Sequence, residues 1–295
     1  MLSSFGKKLG TPIPEPASVA ETIVPMFHHT EHCHVQGEGP PLIYIPGLDG
    51  TGLLFYRQVR LLAHRFRVIT FRLRDDAQQM STLVSDIVRH LDTAVPDGTP
   101  AIVVGESFGG ALSMHLALAH PERVRAMIIL NSFSRITPVA KLYAAIAAAR
   151  IVPWATMRVV RRLTASRLHS SHTHGEEIQR FLLLTRATTR EGYINRLRIL
   201  TRYDLRDRLQ DIHVPTLFLA ADEDHLIPSV AQATFMATRV PGASLRILNG
   251  HGHSCFLAPD LDLDSVLREW AASDARYSSS PRYTHPEVHV SRTTI

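Results

Sequence analysis

Residues 101–104, Ala-Ile-Val-Val, run directly into Gly105-Glu106-Ser107-Phe108-Gly109-Gly110, and a segment of helical period follows from 110 to 120. No other feature of the chain restricts its fold as strongly. A short β-branched run reads as a buried strand. A G-x-S-x-G turn from such a strand into a helix holds its central residue in a strained conformation, and small residues on either side let strand and helix approach. Ser107 is therefore expected to stand above a sheet edge at a helix N-terminus, where the helix dipole favours negative charge. A plain glycine-rich turn would also satisfy the five residues alone. The strand before them and the helix after them make Ser107 a candidate nucleophile.

The rest of the chain repeats the strand-then-helix alternation. Short apolar runs at 42–45, 68–73, 101–104, 124–130, 216–220 and 244–248 read as strands, and longer periodic segments separate them, the pattern of a mostly parallel sheet covered by helices. Residues 80–94 place Leu83, Val84, Ile87, Val88 and Leu91 on one helix face; 230–240 and 263–272 read as weaker helices. From about Ser132 to Tyr203 no strand is legible and Ala, Leu and Arg dominate. This segment reads as a helical cap inserted between two strands. The expected organisation is an N-terminal tail at 1–20, a first core part at 21–131, the cap at 132–203, a second core part at 204–273 and a C-terminal tail at 274–295. With 295 residues, 45% of them apolar, the chain can build one large core.

Three further loops complete a chemical set. The strand at 42–45 enters Pro46-Gly47-Leu48-Asp49-Gly50-Thr51-Gly52, whose glycines allow backbone amides to face a ligand. Acyl transfer needs two amides for the oxyanion, one following the nucleophile and one from such a loop; Phe108 and Leu48 are the expected donors. A phosphate cradle would need the Gly-Lys-Ser/Thr ending that this loop lacks. The strand at 216–220 ends in Asp222-Glu223-Asp224 at its carboxyl end, the side on which sites form in open parallel sheets. Asp224, four residues before Pro228, has the best placement for the acid; Asp222 is the alternate and Glu223 reads as solvated. After 244–248 comes Asn249-Gly250-His251-Gly252-His253-Ser254, offering two imidazoles. His253 is favoured as the base because it precedes the apolar lead into the last helix, with His251 as alternate. In this reading His253 takes the proton of Ser107 and Asp224 holds the imidazole tautomer.

The loop Ile45 to Gly52, the elbow Gly105 to Gly110 and Gly252-His253-Ser254-Cys255-Phe256-Leu257 resemble the hydrolase half of the plant esterase/lipase/acyltransferase family that includes phytyl ester synthases. More widely, residues from about Pro41 to Trp270 resemble the α/β-hydrolase superfamily, and Asp204 to Leu209 before Val214-Pro215-Thr216-Leu217 looks like its return from cap to sheet. The resemblance implies an α/β-hydrolase fold and a Ser-His-Asp triad. The function expected of that set is cleavage of a carboxylic ester with an apolar or acyl-chain substrate, with no metal or organic cofactor required. An acyltransferase using the same triad, and a non-catalytic binding protein of the same fold, are the rival readings.

Charge and composition limit the partners. The formal charge is +5, but acidic and basic residues are interspersed along most of the chain, which argues against a nucleic-acid binder. From Asn131 to Gly175, however, seven basic residues (Arg135, Lys141, Arg150, Arg158, Arg161, Arg162, Arg167) occur without any Asp or Glu, interleaved with Ile151, Val152, Trp154, Met157, Val159 and Val160. Such a cap suits an acyl substrate or peripheral contact with an anionic lipid surface. The two cysteines, Cys33 and Cys255, suggest neither a disulfide framework nor a zinc site. The N-terminus carries no signal-peptide core, so a cytoplasmic protein is expected. The histidine groups His28, His29, His32, His34 and His169, His172, His174 lack i, i+4 spacing with a placed carboxylate and read as exposed loop residues rather than metal ligands.

Overall fold

The computed structural model describes residues 33–273. The expected tails at 1–20 and 274–295, and His28, His29 and His32, lie outside the described residues. In chain order the elements are β1 (Cys33–Gln36), β2 (Pro41–Ile45), α1 (Tyr56–Leu62), β3 (Arg67–Phe71), α2 (Met80–Ala94), β4 (Ala101–Glu106), α3 (Phe108–Ala119), β5 (Val124–Leu130), α4 (Ala140–Ile151), α5 (Met157–Leu168), α6 (Gly175–Leu184), α7 (Arg190–Thr201), β6 (Thr216–Ala221), α8 (Ser229–Ala237), β7 (Ser244–Leu248) and α9 (Leu263–Ser273).

The strands form one sheet in the order β1-β3-β2-β4-β5-β6-β7. β1 runs antiparallel to β3 and every other pairing is parallel. Both faces are covered, which explains why the central strands read as continuous apolar runs rather than alternating ones. Ile43, Ile45, Val103, Met127, Ile129 and Phe218 belong to one core layer. Their neighbours Leu42, Tyr44, Ile102, Val104, Ile128 and Leu217 belong to the layer on the opposite face. Each such side chain, removed from water, contributes roughly 1.5–3 kcal/mol. β1 carries no such run: its residues are half-buried or exposed, so only its register against β3, with Cys33 opposite Phe71, makes it a strand.

Between β5 and β6 the chain forms the four helices α4 to α7, with α7 against α4 and α6 against α5. Parallel pairing brings the carboxyl ends of β2, β4, β6 and β7 to one edge of the sheet. The loops carrying Leu48, Ser107, Asp224 and His253 follow those four ends.

Candidate active site

The turn at Ser107 is built by close approach. Ser107 has φ 53° and ψ −116°, a left-handed φ that costs a non-glycine residue about 1–3 kcal/mol unless its surroundings enforce it. Here they do. The Ser107 amide donates to the Leu130 carbonyl at 2.9 Å, and the Ser107 carbonyl accepts from the Gly110 amide at 3.0 Å and from Ser132 Oγ at 2.7 Å. A Cβ on Gly105 would lie 2.6 Å from the Gly109 carbonyl oxygen, and one on Gly109 would lie 2.0 Å from the Ile45 carbonyl oxygen; both neighbours are backbone and cannot swing aside. Phe108 opens α3, so its amide has no carbonyl four residues back within the helix. The helix dipole adds partial positive charge at the same point.

Asp224 follows β6 on a turn that its own carboxylate organises. Oδ1 accepts from the amides of Leu226 at 2.8 Å and Ile227 at 3.2 Å, and Oδ2 accepts from Ser229 Oγ and lies 2.7 Å from His253 Nδ1. Burial alone would raise its pKa, but these partners, His253 first, hold it below the usual carboxylate range. The His253 side chain is 6% exposed. Burial would lower its pKa; the hydrogen bond and charge of Asp224, with the charge of Glu106, outweigh that and hold the imidazole above its ordinary value. The structure thus brings Asp224 and His253 together. Asp222 instead accepts the Gly250 amide at 2.7 Å, and His251 turns toward the cap, with its Nδ1 2.9 Å from the Asn249 carbonyl.

Several residues that sequence reasoning passed over shape this site. Glu106, inside the elbow motif, is buried with Oε1 3.4 Å from His253 Nε2. Burial pushes its pKa up to about 7, while His253 acts in the opposite direction. Asn131, at φ 44°, donates from Nδ2 to the His253 carbonyl at 2.7 Å and accepts the Ala221 amide on Oδ1 at 2.8 Å. One side chain therefore ties the His253 loop to β6. Arg196 of α7 is 1% exposed and reaches the Leu48 loop, donating from Nε to the Leu48 carbonyl at 3.0 Å and from Nη2 to the Asp49 carbonyl at 3.3 Å, with Asp75 as its ionic partner at 3.4 Å. The "x" position of G-x-S-x-G was the available signal for Glu106; Asn131 and Arg196 carry none.

The cap departs from the sequence reading in two places. His169, expected as an exposed loop histidine, is buried at 5% exposure, with Nδ1 2.7 Å from the Ala165 carbonyl and its ring against Phe181. The four-residue spacing that joins it to Ala165 is helical, so the end of α5 draws it inward. Arg161 is not a free surface cation: it donates to the Thr185 carbonyl and lies over the Trp154 ring. Among the described residues no helix is long and apolar enough to cross a membrane.

Comparison with known proteins agrees with this architecture. A profile of the Hydrolase_4 family, described as serine aminopeptidase, S33, matches residues 72–260. A protein of Azorhizobium caulinodans assigned as a carbamate hydrolase, RutD, is 28% identical over 246 residues, covering 79% of this chain and 92% of the relative. Among solved structures, an enol-lactonase from Burkholderia xenovorans LB400 superposes with a TM-score of 0.69 at 21% identity, covering 82% of this chain and 95% of that one. An esterase from Exiguobacterium antarcticum superposes with a TM-score of 0.70 at 20% identity, covering 82% and 94%. None of these is a plant esterase/lipase/acyltransferase protein, so the resemblance stands at the level of the superfamily. With the seven-stranded sheet, the inserted helices and a profile match spanning most of the fold, the chain is a hydrolase of the α/β-hydrolase fold and belongs to the serine aminopeptidase, S33 (Hydrolase_4) family.

Proposed function

We propose that this protein is a serine hydrolase that cleaves a carboxylic ester through an acyl-enzyme on Ser107. The observation that carries this reading is the buried His253–Asp224 pair, 2.7 Å apart, on the same sheet edge as the strained Ser107 turn. With the Nδ1 hydrogen of His253 donated to Asp224, Nε2 presents a lone pair to take the Ser107 proton. Ser107 Oγ attacks the acyl carbonyl, and the Leu48 and Phe108 amides receive the oxyanion. The imidazolium returns its proton to the leaving alcohol as the ester bond breaks. Water, deprotonated by the same imidazole, then attacks the acyl carbonyl; the acyl–Ser107 bond breaks, the imidazolium returns its proton to Ser107 Oγ, and the acid leaves. Every step is completed by these side chains and water.

The aliphatic and aromatic residues of the cap, among them Ile151, Val152, Trp154 and Met157, support an apolar acyl chain as substrate. A second observation favours peripheral lipid contact through the cap. Leu163 (74% exposed) stands out from α5 with Val159 and Val160, and Ile151 (82%) from the end of α4; Arg158 and Arg162 are exposed on α5. Apolar side chains flanked by cations are the composition of an interfacial helix on an anionic surface.

The test is labelling by a fluorophosphonate probe together with hydrolysis of acyl esters graded by chain length, with a carbamate and an amide for comparison. Labelling of the wild type but not of Ser107→Ala, with esters preferred, supports the proposal. A preferred carbamate would move the substrate class toward that named for the RutD relative. A new ester formed when a long-chain alcohol is added would favour acyl transfer, and absence of labelling a binding role.

A further inference from the structure

The seam between the cap and the His253 loop ends in side chains that hydrolysis does not use. The residues after α5 run along that loop. The Leu168 carbonyl accepts the Ser254 amide at 2.7 Å, and Ser170 Oγ accepts the Gly252 amide at 3.2 Å. A Cβ on Gly252 would sit 2.6 Å from the His169 carbonyl oxygen, so the two backbones touch. Just beyond this join, His172 from the cap, His251 from the loop and Asp260 ahead of α9 converge. His172 Nε2 is 2.7 Å and His251 Nε2 3.4 Å from the same oxygen, Asp260 Oδ1. The two imidazoles meet edge to face with centroids 4.8 Å apart. All three polar atoms lie within 4.8 Å of one another.

His251 decides what such a group is suited to hold. Its Nδ1 faces the Asn249 carbonyl at 2.9 Å, and a carbonyl can only accept, so Nδ1 carries the hydrogen. In the neutral ring Nε2 then presents its lone pair. That atom is buried without a hydrogen-bond partner, in a residue 7% exposed, and it faces a carboxylate oxygen. Two lone pairs turned toward one another are reconciled by a positive charge between them, a proton or a metal ion, and the second imidazole of His172 at the same oxygen favours the metal. The Asn249 carbonyl behind the ring plays the part of the outer acceptor that orients a ligating histidine.

We infer that His172, His251 and Asp260 bind a zinc ion that clamps the cap onto the loop carrying His253. Two imidazole nitrogens and one carboxylate, with water in the fourth position, suit zinc and not magnesium or calcium, which take oxygen donors. Zinc–nitrogen bonds of about 2.0–2.1 Å at a tetrahedral centre set donor atoms about 3.3 Å apart. The separations of 2.7 Å and 3.4 Å lie on either side of that value. His172, on the exposed turn between α5 and α6, supplies the remaining adjustment. The clamp is independent of the Ser107 chemistry, and its test reads metal binding rather than turnover.

The experiment is zinc titration of the untagged, metal-free full chain against a chromophoric zinc indicator, with cobalt(II) absorption as a second readout. It is run on the wild type, His172→Ala, Asp260→Asn, His251→Ala, and a His28/His29/His32→Ala triple variant that removes the competing N-terminal histidines. The expected result is one zinc per chain with a Kd of about 1 μM or tighter, retained in the triple variant and weakened at least roughly tenfold in each of the other three. If His251→Ala does not fold, the two exposed-residue variants carry the test. No binding at about 100 μM zinc, affinity unchanged in His172→Ala and Asp260→Asn, or binding lost only in the triple variant overturns the inference.

Discussion

Replacing Glu106 by Gln tests whether the charge beside His253 sets its working pH. The carboxylate oxygen lies 3.4 Å from His253 Nε2, and both side chains are nearly withdrawn from water, at 8% and 6% exposure. At that distance two unit charges interact by about 1.2 kcal/mol in a water-like dielectric and by about 5 kcal/mol at an effective dielectric of 20. At 1.36 kcal/mol per pH unit, this spans roughly 0.9 to 3.6 units on the imidazole. Burial raises Glu106 to about 7, so near neutral pH its charge is only partly developed, and the two adjacent groups titrate as a coupled pair. The lower end of the range therefore applies. An imidazolium cannot act as the base, so kcat/KM falls as pH drops through the His253 pKa. With the neighbouring charge gone that pKa falls, and the acid limb of kcat/KM for a short soluble ester is expected to move down by about one unit. Glutamine keeps the shape that packs against Gly47, where a Cβ would lie 2.4 Å from Glu106 Oε2. An acid limb that stays in place or moves to higher pH refutes the reasoning.

Asp224→Asn should cost on the order of 10⁴-fold in kcat, because an amide favours the wrong His253 tautomer; a larger loss in Asp222→Asn would move the acid to Asp222. His251→Ala should retain most ester hydrolysis, and an inactive but folded protein would count against His253 as the base. Asn131→Ala leaves the buried Ala221 amide and His253 carbonyl without partners and should lower unfolding free energy by about 1–3 kcal/mol in urea titration; an unchanged midpoint would show that Asn131 does not hold the loop. Charge reversal at Arg158 and Arg162, sparing the packed Arg161, should weaken co-sedimentation with anionic vesicles by roughly 1 kcal/mol per cation at low salt. Binding that is equal in the double reversal would remove the lipid surface from the account.

What is legible in the sequence is local. The residues from β4 to α3 declare strand, turn and helix because a doubly covered strand must be apolar on both faces and because Gly105 and Gly109 are the only side-chain sizes that fit where they sit. The faces of α2 and the run of β5 are readable on the same ground, since periodicity and β-branching act over neighbours a few residues apart. The order of strands, loops and acidic or imidazole residues is likewise written along the chain.

Which partners meet is decided elsewhere. Between Asp222 and Asp224, or His251 and His253, composition differs by nothing; the turn closed by Leu226, Ile227 and Ser229 aims Asp224 at His253 and leaves Asp222 to hold Gly250. β1 becomes a strand only against β3. His169 becomes buried only under Phe181, and Glu106 acquires its raised pKa only where the sheet withdraws it from water beside His253. His172, His251 and Asp260 form a group only once cap and core close along the seam. These properties depend on distances between groups far apart in the chain, and on the water excluded between them. Local patterning sets the elements, but packing alone sets those distances.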